Sequence, residues 1–249
     1  MRIWIATLLM WGALFAQSGA EYYFEQGNSA YREGSYGEAL TWYEKILATG
    51  FESSQVYYNM GNCAYKLDQV GEAVLYFERA RRLDPHDREI RENLELANQR
   101  VQDRIELPPR LFLFEWWDGL TAYFTIADLT RLTAVLYLLT MALIAAWVFW
   151  RPERYRRWLT GTAIALVVLT LAASALLYHA VGDRHGTPAA VVMAPFVTVQ
   201  SAPDPGSTDV FVLHEGVVVE LAEERGEWIR IRLPDGKSGW MMREQVAVI

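Results

Sequence analysis

The chain has 249 residues, 52% of them hydrophobic, with 23 Lys and Arg against 30 Asp and Glu and a sequence pI of about 5.2. An acidic balance without clustered bases argues against a nucleic-acid footprint, which needs Lys and Arg gathered on one face. Its one cysteine, Cys63, excludes an internal disulfide and reads as a small packing residue rather than a reactive thiol.

The charge is unevenly spread. Residues 21–110 carry 16 acids and 11 bases, and residues 183–249 carry 10 and 6. The stretch between them, 111–182, carries only 4 and 5, so two acidic segments flank an apolar middle.

The first twenty residues, "MRIWIATLLMWGALFAQSGA", have the three parts of a secretory leader: Arg2, an apolar run from Ile3 to Phe15, and small residues before a cut. Ser18 and Ala20 fill the positions that a signal peptidase reads, so residues 1–20 are expected to lie outside the fold.

"GNSAY" at Gly27 returns as "GNCAY" at Gly61, 34 residues later. The echo continues through Tyr31 and Tyr65, Ala39 and Ala73, Tyr43 and Phe77. A period of 34 is that of stacked tetratricopeptide helical hairpins. Gly and Ala let the two helices of a hairpin approach closely, and Tyr43 and Phe77 fill the space between repeats. Gly34 suits a turn with positive φ, where the second copy has Asp68. Two hairpins bury too little alone, and residues 87–105 offer a cover: Ile90, Leu94, Ala97, Val101 and Ile105 share one helical face. The helical domain therefore spans 21–106.

In the pattern that tetratricopeptide proteins share, the concave groove is lined here by Phe24, Asn28, Tyr31, Arg32, Tyr58, Asn59, Asn62 and Lys66. Asn28 and Asn59 match asparagines that hold a peptide in chaperone-binding members. The lysines of their carboxylate clamp are absent, with Phe24 and Glu89 in those places, so the resemblance implies an extended peptide or a partner helix. Hydrogen bonding within the fold is the competing use of the asparagines.

Residues 111–129, "LFLFEWWDGLTAYFTIADL", are aromatic but broken by Glu115, Asp118, Gly119 and Asp128, which suits an interfacial segment or a packing surface rather than a span. Leu132 to Trp150 and Trp158 to Ala180 hold no charged residue and are long enough to cross a bilayer, which takes about 20 residues of helix. The turn between them, 151–157, carries Arg151, Arg154, Arg156 and Arg157 against Glu153, so it is expected in the cytoplasm. Both flanking domains then face the other side, as the leader independently requires.

From residue 189 to 249 the pattern changes to period two, with turn signals at "HEG", "ERG" and "PDG". Ile229, Ile231 and Leu233 face one way, Trp228, Arg230 and Arg232 the other. Five or six strands in a small half-open barrel are expected. The phrases "LHEG", "GEWIRIRLPDG" and "GW" resemble bacterial SH3-like domains, some of which bind cell-wall peptide. Trp228 and Trp240 are the candidate ligand platform, with barrel packing as their competing use. The fold class is thus multi-domain: all-α tetratricopeptide hairpins, a two-helix transmembrane hairpin and a small all-β SH3-like barrel.

No catalytic signature stands out. His86, His179, His185 and His214 lie in unrelated segments, no phosphate loop or nucleophile elbow is present, and no cofactor or metal site is expected. Asp84 and Asp87 around His86 fit turn and cap chemistry.

The whole arrangement, with "LYFERARRLDPHDREIRENLELANQRVQDRI" and "FEWWDGL", resembles the BatE-type family of the Bacteroides aerotolerance operon. That resemblance implies a non-catalytic inner-membrane scaffold, with both domains in the periplasm. Its implied partners are membrane-anchored von Willebrand A-domain proteins and other Bat-type proteins, and indirectly a MoxR-type AAA+ ATPase. The alternative is a peptidoglycan-binding protein acting through the SH3-like tail.

Overall fold

A computed structural model describes residues 19–105, 126–149, 156–184 and 188–249. The leader up to residue 18, Trp116 and Trp117 with the rest of 106–125, Trp150 and the arginine-rich turn through residue 155 lie outside the described residues. The chain divides into two compact units: Met1–Pro108 with Thr187–Ile249, and Pro109–Gly186.

The first unit opens with helix α1, through residues 19–32, followed by α2 (Tyr36–Ala48), α3 (Ser54–Lys66), α4 (Val70–Leu83) and α5 (Arg88–Asn98). Each hairpin closes on a glycine. A Cβ on Gly27 would lie 2.6 Å from the Tyr43 ring, and one on Gly61 would lie 2.6 Å from the Phe77 ring. Real carbon atoms do not approach so closely, so the two glycines fix how near each aromatic comes. The turns keep the repeat as well: Gly34 has φ +79°, and Asp68 takes the same left-handed backbone at φ 61°. Ser53 caps α3 by accepting from the Val56 N–H at 3.2 Å. Asp87 caps α5 by accepting from the Glu89 and Ile90 N–H groups at 2.8 and 3.2 Å.

Two expectations change here. Ala20 belongs to α1 and is 7% exposed in the helical core, so a cut after it would remove a packed residue. The covering helix stops at Asn98 instead of reaching Ile105. Ile90, Leu94 and Ala97 are buried among helices as their spacing requires, but Val101 and Ile105 pack against the β-domain core. A nearby apolar sheet outweighs the helical period once the chain leaves α5.

The β-domain has seven strands rather than five or six: β1 (Ala189–Val192), β2 (Phe196–Gln200), β3 (Asp209–His214), β4 (Val218–Arg225), β5 (Trp228–Arg232), β6 (Ser238–Met242) and the short β7 (Val246–Val248). The strand order is β3-β2-β6-β5-β4-β1-β7, and every pairing is antiparallel. Ile229, Ile231 and Leu233 point into one core with Val197, Val199, Leu213 and Met241.

The helices and the β-domain share a second core. Along β1, Ala190 and Val192 face the barrel while Val191 joins Ala73, Val74, Phe77 and Leu94. Val218, Ala247 and Ile249 pack on that same helical cluster. The face of α4 and α5 on which a further repeat would stack is therefore covered by β1, β4 and β7. Arg79 donates to the Val248 carbonyl at 2.7 Å, and Arg82 donates to the Ile249 carbonyl, holding the outermost strand to α4.

Among its described residues the second unit has two helices, α6 (Ile126–Phe149) and α7 (Arg156–Arg184), each long and apolar enough to cross a membrane. The first begins before Leu132 and takes in Ile126–Leu129, with Asp128 and Arg131 paired at 3.7 Å. The two helices pack together, and the hydroxyls of Thr140 and Thr170 meet at 3.1 Å across the contact. Each hydroxyl also lies 2.7 Å from a carbonyl of its own helix, Leu136 for Thr140 and Leu166 for Thr170. With one proton apiece, one hydroxyl donates across the contact while the other donates back to its helix. An interhelical hydrogen bond of this kind suits an apolar medium, where neither group has water as a partner.

Candidate functional site

The eight groove positions fall on α1 and α3, the first helices of the two hairpins. Six of them are part-buried and engaged with the fold. Tyr43 reaches from α2 to donate its hydroxyl to Asn28 Oδ1 at 2.8 Å, and Asn59 Nδ2 donates to the same oxygen at 3.2 Å. One carbonyl oxygen thus ties α1, α2 and α3 together. Gln55 Nε2 approaches Asn59 Oδ1 at 3.4 Å. The asparagines do serve the fold, and the Asn28 amide nitrogen donates to no described residue.

The aromatic positions form the floor. Phe24 lies 6.0 Å from the Tyr43 ring, Tyr58 lies 6.0 Å from Phe77, and Tyr31 meets Tyr36 edge-on at 5.2 Å. Tyr58 donates to Glu89 Oε2 at 3.3 Å and accepts from Asn93 Nδ2 at 2.8 Å. Burial pushes the Tyr31, Tyr43 and Tyr58 hydroxyls above their usual pKa, so all three stay protonated donors at neutral pH. Asn62, also on α3, helps stabilise the charged form of Tyr58, against burial. Arg32 and Lys66 are different: both are exposed, and neither forms an ion pair with a described residue.

Three residues were missed from the sequence. Tyr43 is a hydrogen-bonding hub as well as packing, Asn93 completes the Tyr58 network, and Arg100 stacks on Tyr65 at 3.8 Å. The signal was available for two of them. Asn93 and Arg100 stand 34 residues after Asn59 and Lys66, one repeat further on.

In the β-domain, Trp228 is part-buried and Trp240 only 6% exposed. Trp240 lies outside the barrel core, on the face where Arg230 pairs with it across the strands, and Arg225 covers its ring at 5.3 Å. Cys63 is fully buried in the helical core, and burial pushes its thiol up to about 12. No group of three or more His, Cys, Asp or Glu among the described residues is placed to hold a metal ion.

Family models agree with this architecture. Tetratricopeptide repeat models match residues 6–52 and 54–87, and a bacterial SH3 domain model matches residues 194–247. The chain therefore carries tetratricopeptide repeats and a bacterial SH3 domain, modules that typically mediate interactions rather than catalysis. No curated protein matches the chain. Among solved structures, an NlpC/P60 family protein from Bacillus cereus is 18% identical, with a TM-score of 0.22, over 27% of this chain and 22% of its own. The chain thus spans less than a quarter of that protein. YrrB, described as a TPR protein with an unusual peptide-binding site, is 21% identical with a TM-score of 0.32, over 66% of this chain and 75% of its own.

Proposed function

We propose that this protein is a non-catalytic membrane scaffold of the BatE type. In this reading the tetratricopeptide groove holds a segment of a partner protein close to the bilayer. The partners are membrane-anchored von Willebrand A-domain proteins and other Bat-type proteins, and a MoxR-type AAA+ ATPase is reached only through them. The observation that carries the reading is a groove with aromatic floor, free amide and unpaired cations, on a unit tethered by two apolar helices. The leader exports the N-terminal part.

The packing of the helical repeats on the β-domain supports the hairpin topology. Both halves belong to one compact unit, and the two apolar helices lie between them in sequence. A chain that crosses the membrane at α6 must therefore return at α7. The four arginines in the sequence between the two helices support a periplasmic side for that unit.

The test is affinity isolation of the full-length protein from its own membranes in mild detergent, followed by quantitative mass spectrometry. Enrichment of von Willebrand A-domain proteins over an unrelated two-span control is the expected result. Equal recovery with the control would sink the proposal.

A further inference from the structure

Arg100 shows what a cation at the end of a first helix does in this fold. Its Nη1 donates to Asp68 Oδ1 at 3.0 Å and to the Tyr65 carbonyl at 3.3 Å, while the guanidinium lies 3.8 Å from the Tyr65 ring centre. Cation, tyrosine and carboxylate form a closed set.

One repeat earlier the set is incomplete. Lys66 stands at the place of Arg100, Tyr31 at that of Tyr65, and Gly34 at that of Asp68. The backbone is equivalent, with φ +79° at Gly34 and 61° at Asp68. A Cβ on Gly34 would meet nothing within 4 Å. The cation and the tyrosine are thus kept, the carboxylate is not, and the space is open. Neighbouring acids do not make up the loss. Glu33 is engaged with the Ser29 hydroxyl at 3.2 Å, and Lys66 makes no ion pair with a described residue.

We propose that Lys66, with Tyr31 and the open place at Gly34, seats the side-chain carboxylate of an Asp or Glu in the partner segment. This rests on the groove reading above and specifies its ligand. Arg32, one repeat before Lys66, is also exposed but has no preceding tyrosine and turn to complete a seat. The fitting segment is therefore one that presents a single acid to Lys66.

The test uses the full-length protein in detergent micelles and fluorescent peptides of about twelve residues in polyproline II form. One peptide is a Pro-Pro-Glu repeat with both ends blocked, the second a blocked Pro-Pro-Gln repeat, and the third that Gln repeat with a free C-terminal carboxylate. The Glu peptide is expected to bind about threefold more tightly than either Gln peptide, as one exposed ion pair allows. Lys66→Gln should remove most of that preference. Gly34→Asp should remove it too by supplying a carboxylate from within, and its fold should survive because Asp68 already takes this backbone. Equal binding of Glu and blocked Gln peptides overturns the seat, as does failure of the Glu peptide to bind. Preference for the free C-terminus assigns the site to a terminal carboxylate instead, which also overturns it. Photo-crosslinking from Phe24, which is no part of the seat, judges occupancy of the groove separately, so the two readings fail by different signs.

Discussion

Asp103 holds His214 twice: its Oδ2 accepts the His214 backbone N–H at 2.6 Å, and its Oδ1 lies 3.0 Å from the ring Nδ1. The two residues stand on opposite sides of the apolar helices in sequence, so this contact joins segments that those two helices separate along the chain. Beside it, a Cβ on Gly216 would lie 2.8 Å from Val101, so the chain leaving α5 is seated tightly on the β3–β4 turn. Asp103→Ala leaves a part-buried N–H without its acceptor, a loss of about 1–3 kcal/mol. Hydrogen exchange should show it as faster opening at His214 to Gly216, while α2 is unaffected. Unchanged protection at the turn would mean that the contact contributes nothing.

The Gly–aromatic closures give a paired prediction. Gly61→Ala pushes a methyl into Phe77, with a cost of about 1–3 kcal/mol from overpacking. Gly37→Ala on α2 meets nothing within 4 Å and should stabilise by about 0.5–1 kcal/mol through helix propensity. Denaturant midpoints of the two variants should therefore move in opposite directions from the parent.

Val191 tests whether helices and β-domain form one structure. It lies in the helical cluster although it belongs to β1, so Val191→Ala leaves a cavity at the shared core. The expected loss is about 1–3 kcal/mol. Exchange should rise in both α4 and β1, even though only a β residue was changed. A rise confined to the β-domain would show that the two fold independently.

Much of this was legible in the sequence, for identifiable reasons. The 34-residue echo gave the hairpins because Gly27 and Gly61 have no substitute beneath an aromatic ring. Alternation gave β5 because Ile229 and Ile231 face a core and Arg230 and Arg232 face water. The shared core was not legible. "AAVVM" and "GVVV" are unbroken apolar runs because their strands are covered on both faces, and such runs do not say what covers the second face. Val101 and Ile105 kept a helical spacing while serving the barrel, so period alone put them on the wrong element. At the groove, family positions found the aromatic floor and the asparagines, but not that Tyr43 and Asn93 would spend part of their hydrogen-bonding capacity within the fold.

Buried acids in the helical core set the response to alkali. Burial raises the Cys63 thiol to about 12 and the Tyr76 hydroxyl to about 12, and raises Tyr43 as well. Folding favours their protonated forms, so this stabilisation is complete below the unfolded pKa values and is lost as pH climbs through the folded ones. Stability should decline from about pH 9 upward. Cys63→Ser should shift the start of that decline toward the tyrosine range. Thiol alkylation at pH 8 should be negligible in the native protein and rapid in denaturant; fast native labelling would contradict the burial of Cys63.

The central claim is that the tetratricopeptide groove is occupied by a partner at the membrane. The most direct measurement places a photo-crosslinking amino acid at Tyr31 in living cells and identifies the trapped species by mass spectrometry. Adducts to von Willebrand A-domain membrane proteins are predicted, with none from the same probe placed at Gly37 on α2. If Tyr31 traps nothing while the protein is abundant and inserted, the groove is a structural feature and the scaffold account is wrong.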